Sequence, residues 1–335
     1  MSTRNRHCGK VKYAPRSILC AAAALIAGMQ VHTPFAHAAW PERPVKLIVA
    51  VAAGGPTDDL ARTLANGLSE ALGGSFVVEN RGGGGGRIGI GAVARADPDG
   101  YTILVAASSL TISVAMSAAT PYDAEKDFAP IALIATTPSA FSVTPKLGAK
   151  DLQALIDLSK RGDGLNYATP GTGTVGHLAA ELLKIRSGIV MSHVAHTGAG
   201  PSLQSLLSGS VQLLATPVPS VQAQVEAGTV KVLAVTSENR WSKLPDVPTM
   251  VELGYKGFVA DTFFGLLAPA ATAPEILAKM TKATLDVLRK PDTVTRLEKL
   301  GYDIAAKGPA ELSQRITHEL TQWRDVAKQA GLVVK

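Results

Sequence analysis

The sequence predicts an α/β protein of two domains, each a mainly parallel sheet flanked by helices, with two strands crossing between the domains. Short apolar runs alternate with helical patterns along the chain, which is typical of strands joined by helices. Residues 131–144 form an extended apolar segment interrupted by Pro138, which predicts a strand that leaves one sheet and enters another. Residues 261–269 are a second extended apolar segment and the candidate for the return crossing.

The first half of the chain begins with β-branched and other apolar residues at 45–51, which predict a buried strand. Leucines recur every four residues from Leu60 to Leu72, which predicts a helix with one apolar face. The same reasoning predicts strands at 76–80 and 101–107 and a short helix around 92–96. An irregular passage precedes the crossing segment.

The second half repeats the alternation and ends in a helical tail. Predicted helices lie at residues 151–160, 178–185, 203–207, 218–227, 274–290, 293–302 and 309–330, and predicted strands lie at 165–169, 190–195, 211–215 and 230–235. The predicted first domain comprises residues 39–140 and 265–335, and the predicted second domain comprises 141–264.

Residues 1–38 are predicted to be a signal peptide that is cleaved near Ala38. Five basic residues precede an apolar run at 18–27, and Ala36 and Ala38 occupy the two positions that a signal peptidase reads. The run is too short to span a bilayer. We therefore expect an exported protein.

Removing this segment changes the charge balance and the cysteine content. It carries five of the 33 basic residues and no acidic ones, so the remaining 28 nearly balance 27 acidic residues. No basic surface that would indicate nucleic acid is expected. Cys8 and Cys20 also leave with the segment, which excludes a disulfide or a thiol nucleophile in the mature chain.

Glycine turns that open helices are the candidate ligand sites. Gly54, Gly55 and Thr57 stand between the first strand and its helix, where the first backbone N–H groups of the helix lack partners and favour an anion. An ordinary turn, satisfied by Thr57 and water, remains the alternative. Similar turns at 170–177 and 196–200 belong to the second domain, so a ligand between the domains can be held from both sides.

The spacing Gly84-x-Gly86-x-x-Gly89 formally fits a dinucleotide fingerprint, but five consecutive glycines make that match nearly automatic. No acidic residue follows about 20 residues later on the next strand, as the fingerprint requires. We therefore expect no nucleotide and no other cofactor.

Several segments, spread in order over the mature chain, resemble the tripartite tricarboxylate transporter substrate-binding proteins, the Bug-type periplasmic receptors. These segments are residues 49–62, 78–86, 96–101, 167–178, 233–237, 244–249 and 265–269. The resemblance implies a periplasmic-binding-protein (Venus flytrap) fold, a small organic acid as ligand, and membrane permease subunits as partners. A ligand-sensing receptor for a membrane signalling partner would use the same pocket, and a monomer is expected.

The resemblance also implies the ligand-binding residues. Carried over to matching positions, they are Gly54, Gly55, Thr57, Asp58, Ser108, Ser109, Thr172, Gly173, Thr174, His177, Thr197 and Gly198. Where the family often has Pro-Phe-Pro-Pro, this chain has Ala50-Val51-Ala52-Ala53, and where it usually has Phe-Asp, this chain has Ala215-Thr216. These departures bear on the ligand more than on the fold.

Asp58 has two interpretations. At a helix start, its charge interacts favourably with the helix dipole, worth about 0.3 to 1 kcal/mol. As a ligand contact, it would disfavour bare polyanions and favour a ligand with a positive or hydrogen-donating group beside its carboxylate, as in an amino acid.

An exported hydrolase is the competing class. It would need a Gly-x-Ser-x-Gly elbow, which the sequence lacks. His177 and Glu181 stand four residues apart on a predicted helix, but two ligands do not make a metal site. We therefore predict no catalytic residues and no metal site.

Overall fold

The computed structural model describes residues 40–51, 53–54, 56–117 and 119–333. The predicted signal peptide and Gly55 lie outside the described residues. Helices in the described range are α1 (Pro56–Leu72), α2 (Arg87–Ala94), α3 (Ser109–Met116), α4 (Leu152–Ser159), α5 (Val175–Ser187), α6 (Ala199–Leu207), α7 (Gln222–Glu226), α8 (Pro274–Leu288), α9 (Pro291–Lys299) and α10 (Pro309–Gln329). None of these helices is long and apolar enough to cross a membrane.

The strands form two sheets. The first sheet has the order β2-β1-β3-β10-β4-β11, and the second has the order β7-β6-β8-β5-β9. The strand bounds are β1 (Val45–Val49), β2 (Phe76–Asn80), β3 (Thr102–Ala107), β4 (Phe128–Thr137), β5 (Ser139–Val143), β6 (Leu165–Thr169), β7 (Met191–Ala195), β8 (Leu213–Pro217), β9 (Lys231–Val235), β10 (Thr262–Pro269) and β11 (Asp303–Lys307).

Each sheet begins with a parallel unit of three strands and is completed by antiparallel strands. β1 pairs in parallel with β2 and β3, and β6 pairs in parallel with β7 and β8. β10 runs antiparallel to β3 and β4, and β5 runs antiparallel to β8 and β9. The α/β class and the two sheets are as predicted, but "mainly parallel" was wrong in detail: both sheets are mixed, because each crossing strand enters against the direction of its neighbours.

The crossing strands were predicted correctly and explain where the loops meet. β4 ends at Thr137, and after Pro138 the chain continues as β5 in the other sheet. At this junction Thr137 pairs with Thr262 and Ser139 pairs with Pro217. The carboxyl ends of β3 and β8 therefore lie on opposite sides of the same junction. Loops at these ends are where open α/β sheets bind ligands.

Helix α3 was not predicted, because its apolar residues have the spacing that is typical of a strand. Leu110, Ile112, Val114 and Met116 alternate with other residues, a period of two that argues against an amphipathic helix. The helix forms because it is covered on several sides: Leu110 packs in a core cluster of the first sheet, whereas Ile112 packs in the core of the second.

Helix α10 also contributes to both cores. Leu312 and Ile316 pack on the first sheet, and Trp323 and Val326 pack with the core of the second. The division of the chain into domains at residues 140 and 265 stays a prediction, since α3 and α10 contribute to both cores.

Two helical glycines provide a test of how closely α5 packs. A Cβ atom on Gly176 would overlap the carbonyl group of Ala215 in β8, whereas a Cβ on Gly200 would have no heavy atom of a described residue within 4 Å. We expect Gly176→Ala to lower the free energy of unfolding by about 1–3 kcal/mol, as overpacking does. Gly200→Ala, the matched control, should be neutral or stabilise by up to about 1 kcal/mol.

Urea unfolding followed by circular dichroism measures both variants. A Gly176→Ala protein as stable as the wild type would show that α5 does not approach β8 as closely as described.

Candidate functional site

The turn between β1 and α1 is held by Asp58. This side chain is 3% exposed, and its Oδ2 accepts hydrogen bonds from the backbone N–H of Gly54 at 2.9 Å and from Nε of Arg62 at 3.0 Å. Burial alone would raise the pKa of Asp58, but these hydrogen bonds outweigh it and the pKa lies below its ordinary value. Asp58 therefore stabilises the turn, and the Gly54 N–H already has a partner.

Ser108 follows β3 and is buried in a polar cluster at the second crossing. Its hydroxyl donates to Oε1 of Glu319 at 3.0 Å and accepts from the backbone N–H of Phe263 at 3.1 Å. Arg315 binds Glu319 at 2.8 Å and Asp261 at 2.6 Å. Ser108 therefore ties the crossing strand to α10, whereas the neighbouring Ser109 begins α3 and is half-buried.

In the second sheet, the turn between β6 and α5 is held by Thr174 and His177. The Thr174 hydroxyl accepts the N–H of His177 as the helix cap, and Nδ1 of His177 accepts the N–H of Gly173 at 3.2 Å. Because Nδ1 accepts, the imidazole is neutral and carries its proton on Nε2. Gly173 has φ of +77°, which favours glycine.

The His177 ring lies in a buried aromatic stack behind this turn. It stacks on His193 with ring centroids 3.9 Å apart, and His193 stacks on Tyr167 at 4.9 Å. Burial, and then the proximity of His193, lower the pKa of His177 to about 4. His177 is only 2% exposed, so it supports the turn from behind.

The predicted residues Thr197 and Gly198 lie in the β7–α6 loop, beside the same turn. The backbone N–H of His196 donates to the carbonyl of Thr169, which joins the ends of β6 and β7. Thr197 is exposed and Gly198 is half-buried.

A cavity of about 260 Å³ lies between loops of the two sheets. Thr172 and Gly173 line it from the second sheet, and the first sheet contributes Gly84, Gly85, Arg87, Ile112, Ser113, Met116 and Ser117. The two sides are close: a Cβ atom on Gly173 would lie 3.1 Å from the sulfur of Met116. Thr172 and Gly173 were predicted as site residues, whereas Arg87 and the α3 residues were not, because the cavity that they line depends on α3, which was not predicted.

A second cavity of about 170 Å³, mostly apolar, also lies between the sheets. Thr57 lines it together with Phe264 and Tyr302 from the first sheet and with Pro217 and Ser220 from the second. The predicted site residues are thus divided: Thr172 and Gly173 line the larger cavity, Thr57 lines the smaller one, and Asp58, Ser108 and His177 are buried behind their loops.

Two α/β sheets that exchange strands, with loops of both lining a cavity, define a two-lobed solute-binding protein. Comparison with known proteins gives the family. Residues 60–332 match the family model described as tripartite tricarboxylate transporter family receptor. The chain belongs to this family, as its sequence predicted.

Relatives and solved structures agree with this assignment. The chain is 33% identical over 313 residues to Protein BugT of Bordetella pertussis, covering 92% of this chain and 96% of BugT. The structure of periplasmic binding protein BugD has a TM-score of 0.76 at 33% identity, covering 88% of this chain and all of BugD. R. palustris Rpa4515 with adipate has a TM-score of 0.77 at 33% identity, covering 88% and 99% of the two chains. The predicted two-sheet fold of a periplasmic binding protein and the predicted solute-binding function are confirmed.

Because His177 is neutral in the folded protein, we expect the free energy of unfolding to fall in mildly acidic solution. Its pKa of about 4 lies below the ordinary 6.5, so between these values the unfolded chain binds a proton that the folded protein does not. Stability contributed by this residue is therefore lost as pH falls from 6.5 to 4, by up to about 3 kcal/mol in total.

We expect His177→Asn, which keeps an acceptor but does not titrate, to show a shallower loss of stability over this range in urea unfolding. The control is His318→Asn, which changes an exposed histidine of α10. His177→Asn losing stability as steeply as the wild type would contradict a neutral His177 in the folded protein.

Proposed function

We propose that this protein is a periplasmic receptor that binds a small organic carboxylate in the larger cavity and delivers it to a membrane permease. The observation that supports this most strongly is the lining of the cavity, which comes from loops of both sheets. A ligand there touches both halves of the protein at once. Such a ligand can link binding to a change of arrangement that a permease recognises.

The chemistry of the lining suits an organic acid. Arg87 supplies a positive charge, Thr172 an exposed hydroxyl, and Ile112 with Met116 an apolar surface. The relative Rpa4515 has adipate bound. Asp58 is 3% exposed, its Oδ2 binds Gly54 and Arg62, and it lines neither cavity, so it gives no support to the amino acid that its position in the sequence suggested.

We also propose that the protein is exported after removal of residues 1–38, acts as a monomer and has no catalytic activity. The sequence of the leader supports export, and the family and fold are those of solute-binding proteins.

The first experiment is native mass spectrometry of freshly purified protein, followed by a thermal-shift panel of organic acids. An acid at 100 times its dissociation constant should stabilise the protein by about 2.7 kcal/mol. Failure of every acid in a broad panel to shift the melting temperature would contradict the proposal.

A cavity-filling variant locates the site. Thr172→Trp places a large ring at the cavity wall and should abolish the shift, because Thr172 is exposed and lines the cavity. The control is Thr229→Trp, which changes an exposed threonine in a turn outside the cavity. Full binding by a folded Thr172→Trp protein would place the ligand elsewhere.

A further inference from the structure

Arg87 is the first residue of α2 and brings a guanidinium group into the wall of the larger cavity. Its Nε donates to the carbonyl of Gly84 at 2.8 Å, and its Nη1 donates to the hydroxyl of Ser117 at 3.4 Å. These two contacts link the guanidinium to the glycine turn on one side and to the end of α3 on the other. They direct the group along the cavity wall.

The charge of Arg87 is not neutralised by the described residues. Some arginines of the chain form ion pairs, for example Arg62 with Asp58, Arg81 with Glu79, and Arg315 with Asp261. Among residues that the structure describes, Arg87 has no such pair, and only two of its five N–H groups have hydrogen-bond partners. The remaining N–H groups are available to an acceptor in the cavity.

Two neutral donors of the cavity lining are already engaged. The N–H of Gly173 binds Nδ1 of His177. The hydroxyl of Ser113 donates to the carbonyl of Gly85 at 3.1 Å. Arg87 therefore has the strongest free donors in the lining, since charged hydrogen bonds are roughly twice as strong as neutral ones.

Apolar side chains lie beside this charge. Ile112 and Met116 stand one turn apart on α3 and line the same cavity, and Met116 also faces Gly173 of the second sheet. A ligand that reaches from Arg87 along α3 would meet a charge at one end and a hydrocarbon surface beyond it.

We propose that Arg87 is a specificity-determining residue that pairs with a carboxylate of the ligand while the carbon chain of the ligand lies against Ile112 and Met116. This rests on the proposed function, because it places the ligand in the same cavity. It defines the ligand class as small aliphatic carboxylates. It disfavours ligands that place an ammonium group beside Arg87.

The test compares acids with their neutral amides. Acetate, butyrate, succinate, glutarate and adipate, each paired with its primary amide, are titrated calorimetrically into the wild type and Arg87→Gln. The glutamine keeps an N–H that can reach the Gly84 carbonyl but loses the charge. We expect the affinity for the tightest-binding acid to fall about 10- to 100-fold, the range for a charged hydrogen bond.

The ratio of acid to amide affinity separates pairing from a structural role. Loss of a carboxylate partner should lower this ratio at least tenfold, whereas general damage to the cavity would weaken acid and amide equally. Arg87→Lys, which keeps the charge but not the planar fork, should lie between the wild type and Arg87→Gln. The control Arg81→Gln changes an exposed arginine of the same loop, paired with Glu79, and should bind like the wild type.

Two results would overturn the inference in distinguishable ways. An Arg87→Gln protein with the affinity and acid-to-amide ratio of the wild type would overturn the role of Arg87 while leaving the proposed function intact. A wild-type protein that binds none of the acids would overturn both. Melting temperatures of the unliganded variants confirm that each one is folded.

Discussion

The exchange of strands between the two sheets is the constraint on which the rest of the structure depends. β5 and β10 each arrive from the other half of the chain and take the fourth position of the sheet they enter. A buried polar cluster fixes the second crossing: Glu319, only 2% exposed, accepts from Ser108 and Arg315, and Arg315 also binds Asp261. Removing Arg315 would leave the buried carboxylates of Glu319 and Asp261 without the cation that pairs with both, which is strongly destabilising. The crossing thus holds the loops at the carboxyl ends of β3 and β8 beside one junction.

The turns after β1 and β6 are each held by a side chain of the helix that follows. Asp58 satisfies the Gly54 N–H in one sheet, and His177 satisfies the Gly173 N–H in the other. In both turns a helix side chain accepts the N–H of a glycine. The acceptor is a carboxylate in one turn and a neutral imidazole in the other. A ligand must then bind through groups that these turns do not engage. Arg87 and Thr172 supply such groups in the larger cavity.

Most of the fold could be predicted from the sequence, and less of the site. Pro138 indicated the first crossing, because proline interrupts a central strand. The leucines of α1 indicated the buried face of that helix. The alternating apolar residues of α3 did not indicate a helix. They alternate because different faces of α3 pack against different cores. Arg87 was not predicted as a site residue, because the cavity that it lines is completed by α3. Family resemblance named Ser108 as a ligand residue. The sequence could not show that its hydroxyl bonds to Glu319 and Phe263, which are more than 150 positions away.

A crystal structure of the protein with its tightest-binding acid would test the central claim most directly. We predict that the acid lies in the larger cavity, in contact with Arg87 and α3 on one side and with Thr172 on the other. An acid bound in the smaller cavity beside Thr57 and Phe264, or on the outer surface, would contradict this placement.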